Sequence, residues 1–110
     1  MEKSVKGDVV VLPFPFSDLS SYKRRPALVV ANLAGDDIIL CQITSEAKND
    51  GYSIKLIDND FKTGGLKTTS MIRPNKLFTA DKSIILYKIG SINEKKIKDI
   101  ENAIIKIFTK

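Results

Sequence analysis

The chain has no histidine and no tryptophan. Without an imidazole, any acid, base or anion chemistry must use Arg, Lys, Asp, Glu, Ser, Thr or Tyr. It has one cysteine, Cys41, so no internal disulfide can form. That suits a reducing compartment, and the expected location is cytoplasmic. Cys41 lies in the apolar run at residues 38–43 and reads as a small buried hydrophobe rather than a reactive thiol. With no Cys/His cluster, neither a zinc site nor any other metal or cofactor is expected. Residues 1–6 form no apolar region of signal-peptide length, and no stretch approaches membrane-spanning length. No membrane partner is expected.

What is present is a chain of 110 residues, 43% hydrophobic and 28% charged. That suits one compact domain over residues 1–110. The formal net charge is +5. Residues 1–55 hold seven Lys/Arg against seven Asp/Glu, and residues 56–110 hold eleven against six, so the excess lies in the second half. Such a domain can bind nucleic acid or an acidic protein, or can simply carry a lysine-rich solvated surface.

Short apolar runs dominate the first three quarters. Residues 9–12 predict a strand that stops at Pro13 and Pro15, followed by an exposed loop over residues 17–23. Residues 26–33 and 38–43, joined by a turn at residues 35–37, predict an antiparallel hairpin. Residues 52–56 alternate as a half-buried strand does. A loop follows between residues 58 and 65. Residues 68–72 predict another strand, ending at Arg73-Pro74, and residues 77–78 and 84–89 read as extended. Ser91 and Glu94 fit a capping box, and Ile97, Ile100, Ile104 and Ile107 then recur at helical spacing. The spacing predicts an amphipathic helix over about 94–108 that covers the open end of the sheet or faces a partner subunit. The sum is a mainly β domain with a C-terminal helix, built as a small, partly open barrel.

The densest chemistry lies in residues 23–30, where Arg24 and Arg25 meet Pro26 and a buried strand. Guanidinium is planar, permanently charged and able to grip two oxygens, so Arg25 could clamp a phosphate. It could equally pair with Asp8 or Asp18 at the surface. In the predicted hairpin, Thr44 and Ser45 fall at the same end of the sheet as Arg25. A hydroxyl there could hold a phosphoryl oxygen or satisfy a loose backbone group. Arg73-Pro74 repeats the arginine–proline pattern, with Thr69 and Ser70 just upstream; these could bind RNA or merely end a strand. Tyr22 is a better base-stacking candidate than Phe14 or Phe16, which fit the core. Gly64-Gly65 lacks the spacing of a nucleotide-binding loop.

Taken in order, residues 7–10, 25–30, 43–45, 70–81 and 89–92 resemble the successive signatures of the MazF/PemK family of toxin endoribonucleases. The resemblance covers nearly the whole chain. It implies an SH3-like barrel that pairs as a homodimer and cleaves single-stranded RNA, such as mRNA, held in check by an acidic antitoxin. By the same resemblance Arg25 is the catalytic arginine and Thr44 the catalytic hydroxyl; Arg24, Tyr22, Ser45, Ser70 and Arg73 are the residues expected, on their own chemistry, to bind the RNA. The first loop departs from many relatives in carrying Pro13-Phe14-Pro15-Phe16 and Lys23-Arg24, so a cut motif does not transfer.

The chemistry this implies is self-contained. RNA supplies its own nucleophile in the 2′-OH, and the products are a 2′,3′-cyclic phosphate and a 5′-OH. No metal is required. Arginine is a poor general base, so Asp18, or the arginine in an unusual environment, would have to serve. The rival expectations are a non-catalytic nucleic-acid or protein binder on the same frame, and a structural subunit.

Overall fold

The computed structural model describes residues 3–14 and 23–110. Among them lie seven strands and one long helix: β1 (Asp8–Phe14), β2 (Lys23–Asn32), β3 (Asp37–Thr44), β4 (Ile54–Leu56), β5 (Phe61–Gly64), β6 (Ser70–Asp81), β7 (Tyr87–Ile92) and α1 (Glu94–Thr109). The strands form one sheet in the order β4-β6-β3-β2-β1-β7-β5. Every pairing is antiparallel. The sheet curls into a half-barrel, with α1 packed on it.

Period-two alternation divides the apolar residues between two layers. Val9, Leu28, Cys41, Ile43 and Ile72 lie in one layer, into which α1 sends Ile97, Ile100 and Ile104. Val10, Leu12, Ala27, Val29, Ile38 and Leu40 form the other, closed by Ile85 and Phe78. β1 and β3 are buried on both faces, which is why they read as unbroken apolar runs. Cys41 is fully buried, and burial alone pushes its thiol up to about 12. The thiol is therefore inert packing, as its setting predicts.

Several expected boundaries move, each for a physical reason. β1 runs through Pro13 to Phe14, whose ring meets Phe78 edge-on at 4.9 Å. β6 does not end at Arg73-Pro74 but continues to Asp81. Its partner residues jump from Arg73 opposite Gln42 to Leu77 opposite Cys41, so residues 74–76 bulge out of the ladder. A proline is tolerated there because no ladder N–H is needed. β5 occupies a stretch expected to be loop; it is a four-residue edge strand with one large apolar residue, too little to show a period.

The helix cap is also corrected. Asn93, not Ser91, caps α1, its Oδ1 accepting the Lys96 N–H at 2.8 Å. β7 runs on to Ile92, which keeps Ser91 inside the ladder opposite Asp8. There its hydroxyl donates to the buried Asp8 carboxylate at 2.7 Å. Asp8 also lies 3.5 Å from Lys88, so it is committed to the fold rather than to Arg25.

Candidate active site

β1, β2 and β3 place the arginines. Leu12 lies opposite Arg25 across β1 and β2, and Ala27 lies opposite Gln42 across β2 and β3. Continuing the second register by two residues brings Arg25 across from Thr44 and Arg24 across from Ser45. On the far side of β3, Thr44 pairs with Met71 of β6, which brings Ser70 alongside Ser45. Three strand ends thus gather two guanidiniums and three hydroxyls.

They border one open cleft of about 490 Å³. Arg24, Arg25, Thr44, Ser45 and Ser70 all line it, with Lys67 and Thr68 on the β5–β6 loop. Val11, Pro26, Ile43 and Ile89 supply apolar wall, and Tyr87 stands at the margin. No carboxylate lines the cleft among the described residues, so its field is positive and suits an anion.

Each polar group has a distinct state. Arg25 is half-buried, and its Nε is shut from solvent with no hydrogen-bond partner among the described residues. A buried donor left unmatched is costly, and a ligand oxygen would relieve that cost. Thr44 is 8% exposed, and its Oγ1 accepts the Glu46 N–H at 3.1 Å. That contact fixes the oxygen and leaves the hydroxyl proton available to a ligand. Ser70 is buried and donates to the Thr68 carbonyl at 2.9 Å, holding the loop that forms the cleft wall. Ser45 is exposed.

The pleat separates the candidate pairs. Arg24 and Ser45 share the sheet face of Pro26 and Ile43, while Arg25 and Thr44 share that of Leu12 and Ala27. Both pairs are among the residues that line the cleft, whose apolar wall of Val11, Pro26 and Ile43 belongs to the face of Arg24 and Ser45.

Arg73 is elsewhere. It does not line the cleft; its Nη2 donates to Asp50 Oδ2 at 3.2 Å. Asp50 also accepts the Tyr52 and Ser53 N–H groups, at 3.0 and 2.9 Å. These N–H bonds first, and Arg73 after them, hold its carboxyl well below the usual carboxylate range. The pair fastens the loop that leaves the end of β3. Tyr22 and Asp18 lie outside the described residues. Sequence reasoning passed over Lys67, Thr68 and Tyr87, which reach the cleft only because β5, β6 and β7 curl toward β2.

The match to known families is decisive at this point. Residues 5–108 match the model of the PemK-like, MazF-like toxin of type II toxin–antitoxin systems. The chain belongs to this family. Among solved structures, MazF from Deinococcus radiodurans superposes with a TM-score of 0.77 at 18% identity, covering 100% of each chain. An endoribonuclease from a mycobacterial species gives a TM-score of 0.74 at 16% identity, over 98% of this chain and 93% of that one. A MazE–MazF complex from Deinococcus radiodurans gives 0.77 at 17%, over 99% and 98%. No curated protein matches the sequence significantly. The half-barrel and closing helix are thus those of MazF-like toxins.

Proposed function

We propose that this MazF-like chain is a metal-independent endoribonuclease that cuts single-stranded RNA by attack of the ribose 2′-OH. The observation that carries this reading is the cleft, carboxylate-free among the described residues, whose lining unites Arg25, with an unmatched buried donor, and Thr44 on the adjacent strand. Family membership supports it.

In this mechanism the scissile phosphate sits against Arg25, whose guanidinium stabilises charge on the equatorial oxygens as phosphorus becomes five-coordinate. Thr44 donates to a phosphate oxygen or orients the 2′-OH. The 2′-oxygen bonds to phosphorus, the bond from phosphorus to the 5′-oxygen breaks, and the proton lost by the 2′-OH is balanced by one gained at the 5′-oxygen. The products are a 2′,3′-cyclic phosphate and a 5′-OH. Arg24, Lys67 and Ser45 grip flanking phosphates, and the downstream fragment departs as the 5′-OH leaving group.

The positive surface also suits an acidic antitoxin as partner, as in the solved MazE–MazF complex and the mycobacterial endoribonuclease bound to its cognate antitoxin. A homodimer acting in the cytoplasm completes the reading.

The test is incubation with a mixed RNA pool in the presence of chelator, followed by mapping of cut positions and end groups. Cyclic-phosphate ends are expected, and a single 2′-deoxy nucleotide at the cut site blocks cleavage. Unchanged cutting of the deoxy substrate would overturn the mechanism. Tight binding without cutting would turn the reading to a non-catalytic binder.

A further inference from the structure

A second groove, of about 510 Å³, adjoins the arginine cleft. The two share Tyr87 and Ile89 on β7. Beyond Tyr87 the groove is lined by Lys3, Ser4, Thr63 and Lys88. Each space has the size of a small-ligand site, which runs from about 300 to 1,000 Å³. Among the described residues no carboxylate lines either one. Lys88 is paired with the buried Asp8 carboxylate at 3.5 Å, which leaves Lys3 as the groove's cation without an ion pair among the described residues.

Tyr87 is placed to bridge the two. It is 49% exposed, yet its backbone is fixed in the ladder opposite Val11, which lines the arginine cleft. A half-exposed aromatic ring on a rigid strand loses little freedom when a base stacks on it. The floor is rigid as well. Gly64 has φ +67°, and a Cβ there would lie 2.1 Å from the Ile89 carbonyl oxygen. A Cβ on Gly90 would lie 2.5 Å from the Thr63 carbonyl oxygen. Only glycine permits β5 and β7 to approach this closely, and that approach sets the floor between the two spaces.

We propose that single-stranded RNA held in the arginine cleft crosses Tyr87, which stacks a base, and that the nucleotides beyond it occupy a second phosphate-binding subsite at Lys3. This inference rests on the ribonuclease reading and extends it. It makes substrate length on one side of the cut a determinant of affinity, with aromatic stacking and cationic contact supplying the gain without base-specific readout.

The experiment uses RNA oligonucleotides built around a cut position mapped in the mixed pool. They are lengthened one nucleotide at a time on the 5′ side or on the 3′ side. The readout is the ratio of kcat/KM for the lengthened over the shortest oligonucleotide. Lengthening on one side is expected to raise that ratio, and lengthening on the other to do less. Tyr87→Ala should lower the gain by about 5- to 150-fold, the range for removing a stacked base, and Tyr87→Phe should preserve it. Lys3→Ala, at an exposed position, should reduce the dependence of log affinity on log salt by about 0.7 for a 2′-deoxy-blocked long oligonucleotide and leave it unchanged for a short one. A gain insensitive to both Tyr87→Ala and Lys3→Ala, or no gain on either side, overturns the second subsite while leaving the ribonuclease reading intact. Failure of the wild-type protein to cut any RNA overturns that reading and the subsite with it.

Discussion

The chain contains the dipeptide Arg-Pro twice, and the two arginines are put to different uses. Arg25 opens the buried part of β2 on the wall of a positive cleft and makes no ion pair among the described residues. Arg73 lies within β6, off that cleft, with its terminal nitrogen on Asp50. Both bury an Nε without a partner, so that feature alone does not distinguish them. The partner carboxylate does. An arginine neutralised by a carboxylate holds a loop; one facing an open cleft with no acid in its lining is free to meet a phosphate. The same two letters acquire their role from what the fold brings opposite them.

The sharpest way to break this comparison is to truncate each arginine. Arg25→Ala is expected to lower kcat/KM for RNA by about 10²–10³-fold, the cost of removing one preorganised electrostatic donor, with an unchanged melting temperature. Arg73→Ala is expected to do the reverse, lowering the melting temperature by several degrees while the protein that remains folded still cuts. Paired measurements of RNA cleavage and thermal unfolding check both. Equal loss of cutting without destabilisation at both sites would show that Arg73 also meets substrate.

Much of the first site was legible in the sequence. A hairpin over residues 26–43 already puts Arg25 at the same end of the sheet as Thr44 and Ser45, but which hydroxyl lies across from Arg25 depends on a register shift between Val29 and Ala31 that the sequence does not announce. Isoleucines at helical spacing likewise marked α1. The second site was not legible. Asp50 and Arg73 are separated by two strands and a loop, and nothing local announces their contact. The strand's passage through Pro74 depends on a bulge that only the pairing with β3 reveals. The Ser91 cap failed because a capping pattern cannot show that the preceding strand still needs its serine. Tyr87 and Lys67 join the cleft through sheet curl, which no period records.

A smaller effect separates the hydroxyls. Thr44→Val removes a nearly buried hydroxyl that the Glu46 N–H holds in place, and kcat/KM is expected to fall roughly tenfold or more, the scale of a hydrogen bond to a charged group. Ser45→Ala, at an exposed position, is expected to cost less, and Thr44→Ser to recover most of the activity. A larger loss for Ser45→Ala would move the working hydroxyl to the face of Arg24. Kinetics on a single mapped oligonucleotide suffice.

The finest distinction lies in how the Arg73 site responds to acid. Asp50 ionises more readily in the folded protein than at its ordinary value of 3.8, because the Ser53 and Tyr52 N–H groups, and then Arg73, bind its charged form. A carboxylate with a lowered folded value adds stability that is complete well above its unfolded value. That stability is lost as pH falls from there toward the folded one. The stability difference between wild type and Asp50→Asn should therefore be full at neutral pH and shrink steadily below about pH 4. Urea unfolding of both proteins between pH 7 and pH 2.5 reads it directly. Asp50 is partly solvated, so salt screening trims the arginine share of the difference but leaves the backbone share. A variant carrying both Asp50→Asn and Arg73→Ala should then be less destabilised than the two single changes added together, because each removes the same contact. The corresponding pair of Asp50→Asn with Arg25→Ala should be additive, and coupling there would tie the two arginines into one network through the loop that follows Thr44.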